Sequence, residues 1–464
     1  MDIVLRYSLV LIAVAFGGSV AHANDLKQLY ELALTRDTTL EAATFQRAAA
    51  VEARPQALAS LLPQLSASAS AARDRATYES AQIVGSIDTV NCTPYADGAM
   101  QRCFGNTRGL GLNLSQTLWS FQAFSLLKEA NFQAAAAEAT FREAQQSLVL
   151  RVAIAYFAIL SASDQLSTNK NEREAFGTLL NQAKVREQTG VGPRSDVEQA
   201  KAFYDATEQS VIDAQNALDD ANLAMTEIVG PRADRSANSP TANLAPLRDE
   251  IPLVSPEPDS AEEWVDSARR DNFDVRAAGL KAEAASRDIA AQRGRALPTI
   301  SLTSSASRAS QDEVLGGNQT LGIIGVSFSW PLIQGGAVAS AVRQARALYR
   351  EAQAQYDAAQ RDAERHTRAA FRNVVSGVQR IAAARRAVAS GRDAVEASRR
   401  NVEFGTGTEF DLLNAQVNYF TAVRAYDQAR YDYLTNVLTL KQQAGRLSER
   451  DLIAIDELLV ENRS

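Results

Sequence analysis

The stretch EFGTGTEFDLLNAQ, Glu403 to Gln416, shares its skeleton with EQTGVGPRSDVEQA, Glu187 to Ala200. Gly190 and Gly405, Gly192 and Gly407, Asp196 and Asp411, and Ala200 and Ala415 each stand 215 residues apart. Two close glycines and a following carboxylate suggest part of a phosphate-cradling loop. Such a loop, however, follows a strand, opens a helix and runs on into Lys-Ser/Thr. Both copies here follow long helix-favouring runs, and neither has the Lys-Ser/Thr. The glycines are read instead as reversing a helical hairpin. Asp196 and Asp411 then fall near the start of the return helix, where an acidic residue suits the dipole. A turn written twice implies a hairpin built twice.

Working outward, the rest of the chain is written twice as well. LLPQLSASASA (Leu61 to Ala71) aligns with ALPTISLTSSA (Ala296 to Ala306) at an offset of 235, and LGLNLSQTLW (Leu110 to Trp119) with IGVSFSWPLI (Ile324 to Ile333) at 214. The drop in offset gives the first copy 21 extra residues between its paired segments, in the stretch that holds Cys92 and Cys103. Between the copies, residues 231–258 hold six of the chain's 12 prolines and read as a linker.

Four segments alternate with a period of two. In one of them Leu65, Ala67, Ala69 and Ala71 are separated by Gln64, Ser66, Ser68 and Ser70, and in another Ile324, Val326, Phe328 and Trp330 alternate with small residues. A soluble sandwich shares this pattern, but strands of about ten residues with one apolar and one small polar face are what an outer-membrane barrel needs. Four strands cannot close a barrel, since the smallest useful one has about eight. If they span a membrane, several chains must share the barrel.

Long helices join these strands. Residues 120–189 contain no proline and one glycine, Gly177; at 1.5 Å per residue a helix of that length is a rod of roughly 100 Å. The apolar run Ser147 to Ser163 is interrupted by Arg151 and is short for a membrane span, so a buried bundle stripe is expected. After the turns, Leu412, Tyr419, Tyr426, Tyr433 and Leu440 recur every seven residues, as do Val197, Tyr204, Val211, Leu218 and Met225. Heptads imply supercoiled helices, and the tyrosines are read as part of that packing seam.

The boundaries that follow are a signal peptide at 1–23; a first repeat at 24–230, with strands at about 64–75 and 109–119 and helices at 120–189 and 193–229; the linker; a second repeat at 259–445, with strands at about 299–309 and 321–331 and helices at 336–404 and 409–444; and a C-terminal segment, 446–464. The N-terminus supports export: an apolar run from Leu9 to Phe16 precedes Ala21-His22-Ala23, which fits the small-x-small cleavage rule. In an oxidising compartment Cys92 and Cys103 are expected to form a disulfide. A net charge of −7 argues against a nucleic-acid partner, and with only His22 and His366 present, histidine triads and multi-histidine metal sites are nearly excluded. No catalytic, metal or cofactor site is read.

With the duplicated strand-strand-helix-helix order, SWPLIQGG at Ser329 to Gly336, the tip turns followed by Asp-x-x-x-Ala, and AGRLSERDLIAI at Ala444 to Ile455, the chain resembles the TolC family of outer-membrane channel-tunnel proteins. The resemblance implies an α+β membrane protein. Four strands per chain would join a 12-stranded barrel in a homotrimer, and a coiled-coil tunnel would project into the periplasm. It would give passive exit to protein or small-molecule substrates from an inner-membrane ABC or proton-driven transporter through a periplasmic adaptor. Val191, Gly192 and Pro193, and Thr406, Gly407 and Thr408, would occupy the adaptor-contacting tips, with Pro193 and Thr406 departing from the family pattern. Asp411 and Asn414 would occupy the two periplasmic gate rings, the second lacking its carboxylate. Three Asp411 side chains on one axis would raise at least one apparent pKa. An exported coiled-coil scaffold is the alternative, and an acid-based periplasmic hydrolase a third reading.

Overall fold

A computed structural model describes residues 26–78, 92–94, 101–230, 244–311 and 317–460. The expected signal peptide and half of the linker fall outside them. Two compact units account for the chain: one comprises Ala42–Gln145 and Val265–His366, the other the chain up to Glu41, Gln146–Trp264 and Thr367 onward.

The first of these units carries the sheet. Its strands are β1 (Gln64–Tyr78), β2 (Cys92–Pro94), β3 (Gln101–Ser120), β4 (Thr299–Gln311) and β5 (Gly317–Ser329). They run antiparallel in the order β1-β3-β4-β5, with β2 pairing only with β3. The register extends the period-2 pattern across all four long strands. Leu65 lies opposite Leu114, Ala67 opposite Leu112, Leu112 opposite Ala306, and Leu302 opposite Val326. One face is therefore mainly apolar over the half nearer the helices, and Ser66, Asn113, Ser305 and Ser327 belong to the other.

At Thr117/Trp119 the β3–β4 register slips by one residue. A bulge of this kind reverses the alternation beyond it. Trp119 thus comes opposite Ile300, which pairs in turn with Phe328, on the apolar face.

Three strands run further than alternation alone suggests, whereas β5, expected at about 321–331, starts earlier and stops at Ser329, before Trp330 and Pro331. β3 starts at Gln101, not near 109, and Gly105, Asn106 and Thr107 are paired despite poor strand propensity, because β1 continues opposite them to Tyr78. Pairing with a neighbour overrides the intrinsic preference of a residue. The far end of β3 also takes β2, with Cys92 in register with Cys103.

In the same unit α2 (Thr38–Val51), α3 (Ala53–Ala59), most of α6 (Ala261–Asp271), α7 (Phe273–Gly294), and the adjoining parts of α4 (Phe121–Gln188) and α8 (Ala337–Glu403) pack through alanines, including Ala130, Ala136, Ala268, Ala277, Ala284 and Ala345. Small side chains let the backbones approach closely. A Cβ on Gly294 would lie 2.7 Å from the Gln122 nitrogen.

The other unit is built from α1 (Leu26–Arg36), α5 (Arg194–Val229), α9 (Glu409–Gln443), α10 (Glu449–Asp456) and the remaining parts of α4 and α8. The run in α4 that is apolar enough to cross a membrane is mostly buried here, through Leu148, Val152, Ala153, Tyr156, Phe157 and Leu160. Arg151 leaves that stripe to donate two hydrogen bonds, 2.9 and 3.0 Å, to the buried carboxylate of Asp37. Burial pushes the Asp37 carboxyl up, and the bonds from Arg151 and from the Leu40 amide outweigh it, leaving it lowered. The C-terminal segment closes the unit. Asp456 accepts from the Leu26 and Lys27 amides at the start of α1, where a carboxylate suits the exposed N–H groups.

Candidate functional site

Each long hairpin turns by the same backbone device. α4 ends in Gly190 at φ +74° and α8 in Gly405 at φ +70°. In the first turn the Gly190 amide donates to the Glu187 carbonyl and the Val191 amide to Arg186, 2.9 Å; in the second, Gly405 donates to Val402 and Thr406 to Asn401, 2.8 Å. This is the Schellman pattern, which needs a left-handed residue and so selects glycine. The second glycine of each pair has a different job. Gly192 and Gly407 also donate to the Arg186 and Asn401 carbonyls, and a Cβ there would lie 3.0 Å and 2.8 Å from the Cβ atoms of those residues.

The two tips differ in chemistry. Val191 and Phe404 are nearly four-fifths exposed, and Phe410 is half exposed. α5 follows Pro193 with no side-chain cap, whereas α9 opens with a capping box. In that box Asp411 accepts from the Thr408 amide at 3.2 Å and from its hydroxyl at 2.7 Å, and the Thr408 hydroxyl accepts from the Asp411 amide. The Thr408 hydroxyl and amide bonds hold the exposed Asp411 carboxyl below its ordinary value. The capping box therefore acts against the raised pKa expected from like-charge crowding. Asn414 donates to the Phe410 carbonyl one turn back.

An acidic residue of the second tip reaches across to the first. Glu409, first in α9, is buried and forms an ion pair with Arg186 of the first tip. Behind this pair Phe176, Leu179, Leu180, Ala183, Ala200, Leu412 and Leu413 make one apolar cluster, which joins the two hairpins just inside their ends. Farther along, Arg424 of α9 donates to Asn169 and Glu172 of α4, while Asn169 donates to the Ser210 carbonyl of α5.

The heptad tyrosines do two jobs. Tyr204 packs on Gly177, Tyr419 on Gly391 and Tyr433 on Gly377, so a glycine admits each ring. Tyr426 and Tyr433 also reach the linker: the Tyr426 hydroxyl donates to the Asp249 carbonyl, and the Tyr433 hydroxyl lies 2.9–3.0 Å from the Val254 oxygen and nitrogen. Arg430 adds bonds to the Leu247 and Arg248 carbonyls. The proline-rich segment is thus held along α9 as a strap. Beneath it the Tyr431 hydroxyl donates to Asp164 at 2.6 Å. Burial, together with Asp164, pushes the Asp427 carboxyl up to about 6.

A sheet with one mainly apolar face, open at both edges, and long duplicated coiled helices define the outer-membrane tunnel class of channel. Residues 29–231 and 264–446 match the family described as outer membrane efflux protein, and the chain belongs to that family. It is 29% identical over 443 residues to the outer membrane protein TolC of Vibrio cholerae, covering 94% of each chain. It is 27% identical to the alkaline protease secretion protein AprF of Pseudomonas aeruginosa, covering 93% of this chain and 86% of that one. The CmeC outer membrane channel of Campylobacter jejuni shares the fold with a TM-score of 0.77 at 18% identity, over 98% of both chains. The protein is therefore an outer-membrane channel of the secretion and efflux kind, with its helical tunnel in the periplasm.

Proposed function

We propose that three copies of the chain close one 12-stranded barrel and form a passive exit duct, fed by a periplasmic adaptor and an inner-membrane ABC or proton-driven transporter, with no chemistry of its own. One observation carries this: among the described residues β1 and β5 are each paired on one side only, at opposite edges of a sheet whose apolar face lies open to solvent. Leu110, Ile324 and Phe328 are 65%, 75% and 65% exposed in the single chain. In a membrane every backbone donor and acceptor needs a partner, so β1 and β5 must pair with further copies and the apolar face must meet lipid. The scaffold reading gives neither edge nor face a purpose.

In this reading residues 191–193 and 406–408 present the tips to the adaptor, and the Asp411 and Asn414 side chains ring the closed entrance. Native mass spectrometry of the detergent-extracted protein is expected to give a trimer. A monomer in mild detergent would remove the shared barrel.

A further inference from the structure

The apolar face of the sheet ends in arginine. Following the register away from the helices, Ala71 pairs with Arg108, Arg73 with Asn106, Arg75 with Phe104, and Leu110 with Arg308. Arg73, Arg75, Arg108 and Arg308 therefore share the face of Leu65, Leu112 and Ala306, and all four are exposed. None of them pairs with a described acidic side chain. Arg73, Arg108 and Arg308 are successive diagonal neighbours across three strands, a spacing of about 7–8 Å. The guanidinium carbons of Arg73 and Arg75 lie 5.6 and 6.0 Å from the centre of the Phe104 ring, which holds both by cation–π contact.

The depth of this row follows from the strand. Leu110 to Trp119 spans ten residues of β3, about 30 Å at 3.3 Å per residue, or about 23 Å across a membrane when tilted by about 40°. That is the height of one apolar band, with Trp119, Ile300 and Phe328 at the helix end and the arginines just past the other. Since the helices are periplasmic, the arginines stand at the outer leaflet. Directly below them Ala67, Ala69, Leu110, Leu112 and Ala306 line an open groove of about 540 Å3, and Arg308 and Thr320 form part of its wall.

We propose that this groove and arginine row bind a phosphorylated glycolipid of the outer leaflet, with an acyl chain along the alanine floor and its phosphates against Arg73, Arg108 and Arg308. Four like charges crowded on a lipid-facing surface repel one another unless anions sit among them. The planar guanidinium fork matches a phosphate with two parallel bonds, and the apolar groove beneath selects a phosphate that carries a chain. The site would exist three times around the shared barrel, on whose closure, apolar face outward, the inference rests.

The test uses the full chain in detergent, titrated with rough lipopolysaccharide and with the same material after phosphatase treatment, and read by native mass spectrometry. Glycolipid is expected to be retained in up to three copies per trimer, with the dephosphorylated form held about tenfold more weakly. Combining Arg73→Gln, Arg108→Gln and Arg308→Gln should reduce affinity for the phosphorylated form to that of the dephosphorylated one, while Arg399→Gln on α8 changes nothing. Arg→Lys at the same three sites keeps the charge and loses the fork, and is expected to weaken binding severalfold. Equal retention by wild type and both triple variants overturns the site. Displacement by millimolar inorganic phosphate would show a free-anion site and overturn the glycolipid assignment. The same spectra report the trimer, so failure of the site and failure of the barrel are read separately.

Discussion

Residues at the two tips hold conformations their neighbours could not. Gly405 has open space around its Cα but a φ of +70°, a conformation that costs an L-residue roughly 1–2 kcal/mol. Gly407 has an ordinary φ but no room, since a Cβ would meet that of Asn401 at 2.8 Å. Gly405→Ala is expected to cost about 1–2 kcal/mol by strain alone, and Gly407→Ala about 1–3 kcal/mol by overpacking. Hydrogen exchange separates the two mechanisms. In Gly405→Ala the Thr406 and Gly407 amides should keep their bonds to the Asn401 carbonyl, whereas Gly407→Ala should expose both.

The Asp411 carboxylate shows how far one residue can be read from sequence. Its place at a helix start was legible from Gly-x-Gly and the acid that follows, and the Thr408-x-x-Asp411 spacing ahead of Leu412 and Leu413 is itself the capping-box pattern, which would have announced the bond to Thr408. Because the Thr408 bonds lower the folded pKa, the capping box is intact above the ordinary aspartate value. It is lost only as pH falls through the lowered one. If Asp411 lines the entrance, cation preference in planar bilayers should persist to below about pH 4. Asp411→Asn should reduce the preference and leave the trimer intact. Unchanged reversal potentials in a salt gradient would confine Asp411 to helix capping.

Among the elements, the long helices carry paired glycine–tyrosine contacts whose tolerance differs. A Cβ on Gly177 would touch the Tyr204 ring edge at 3.3 Å, and one on Gly391 the Tyr419 Cα at 3.2 Å. A ring edge can swing aside and a backbone cannot. Removing a mid-helix glycine gains about 1 kcal/mol of helix propensity, so Gly177→Ala is expected to be neutral or slightly stabilising. Gly391→Ala should show a net loss of about 1–2 kcal/mol in urea unfolding, because overpacking outweighs that gain.

Two of the helix carboxyls raised by burial give the molecule a response to pH near neutrality. Burial, with Asp288 nearby, pushes Glu129 up to about 7, and Asp427 stands at about 6 beneath the strap. Folding therefore takes up protons between the unfolded values and these, so the stability they contribute is present in acid and lost as pH rises through 6 and 7. Glu129→Gln and Asp427→Asn should each flatten the fall in Tm between pH 5 and 8. A fall as steep as that of wild type would show that neither group titrates there. The heptads made these helices legible. The strap was not, because its anchors are backbone carbonyls, and any sequence supplies those.

For the whole molecule, duplication and strand alternation were enough to read an incomplete barrel and two helical hairpins. Hidden were the contacts between segments far apart in the chain. Arg186 with Glu409 and Asp456 with the start of α1 each join positions more than 200 residues apart, with no shared pattern to announce them. The long loop belongs to the same scale. With Cys92 and Cys103 in register on β2 and β3, a bridge between them would close a short outer loop, adding about 2–3 kcal/mol of local order. Maleimide applied to intact cells is expected to label neither thiol until reductant is added, and labelling of both without reductant would remove the bridge.

The slipped register at Thr117/Trp119 acts as a phase correction between two codes. Strand residues alternate by 180° and helix residues advance by 100°, so the last strand positions before Phe121 decide which way α4 sets out. With Leu118 as the uncounted residue, Trp119 regains the lipid side in time for the chain to leave the membrane on an aromatic. Strand β5 has no such slip against β4, and it reaches its exit through Trp330 and Pro331 instead. The two halves of the gene product therefore solve the same junction by different means: one by inserting a residue, the other by ending the ladder at a proline that has no amide to donate. Losing Leu118 would leave every β3 residue before it in place and turn the start of a 68-residue helix to the wrong side.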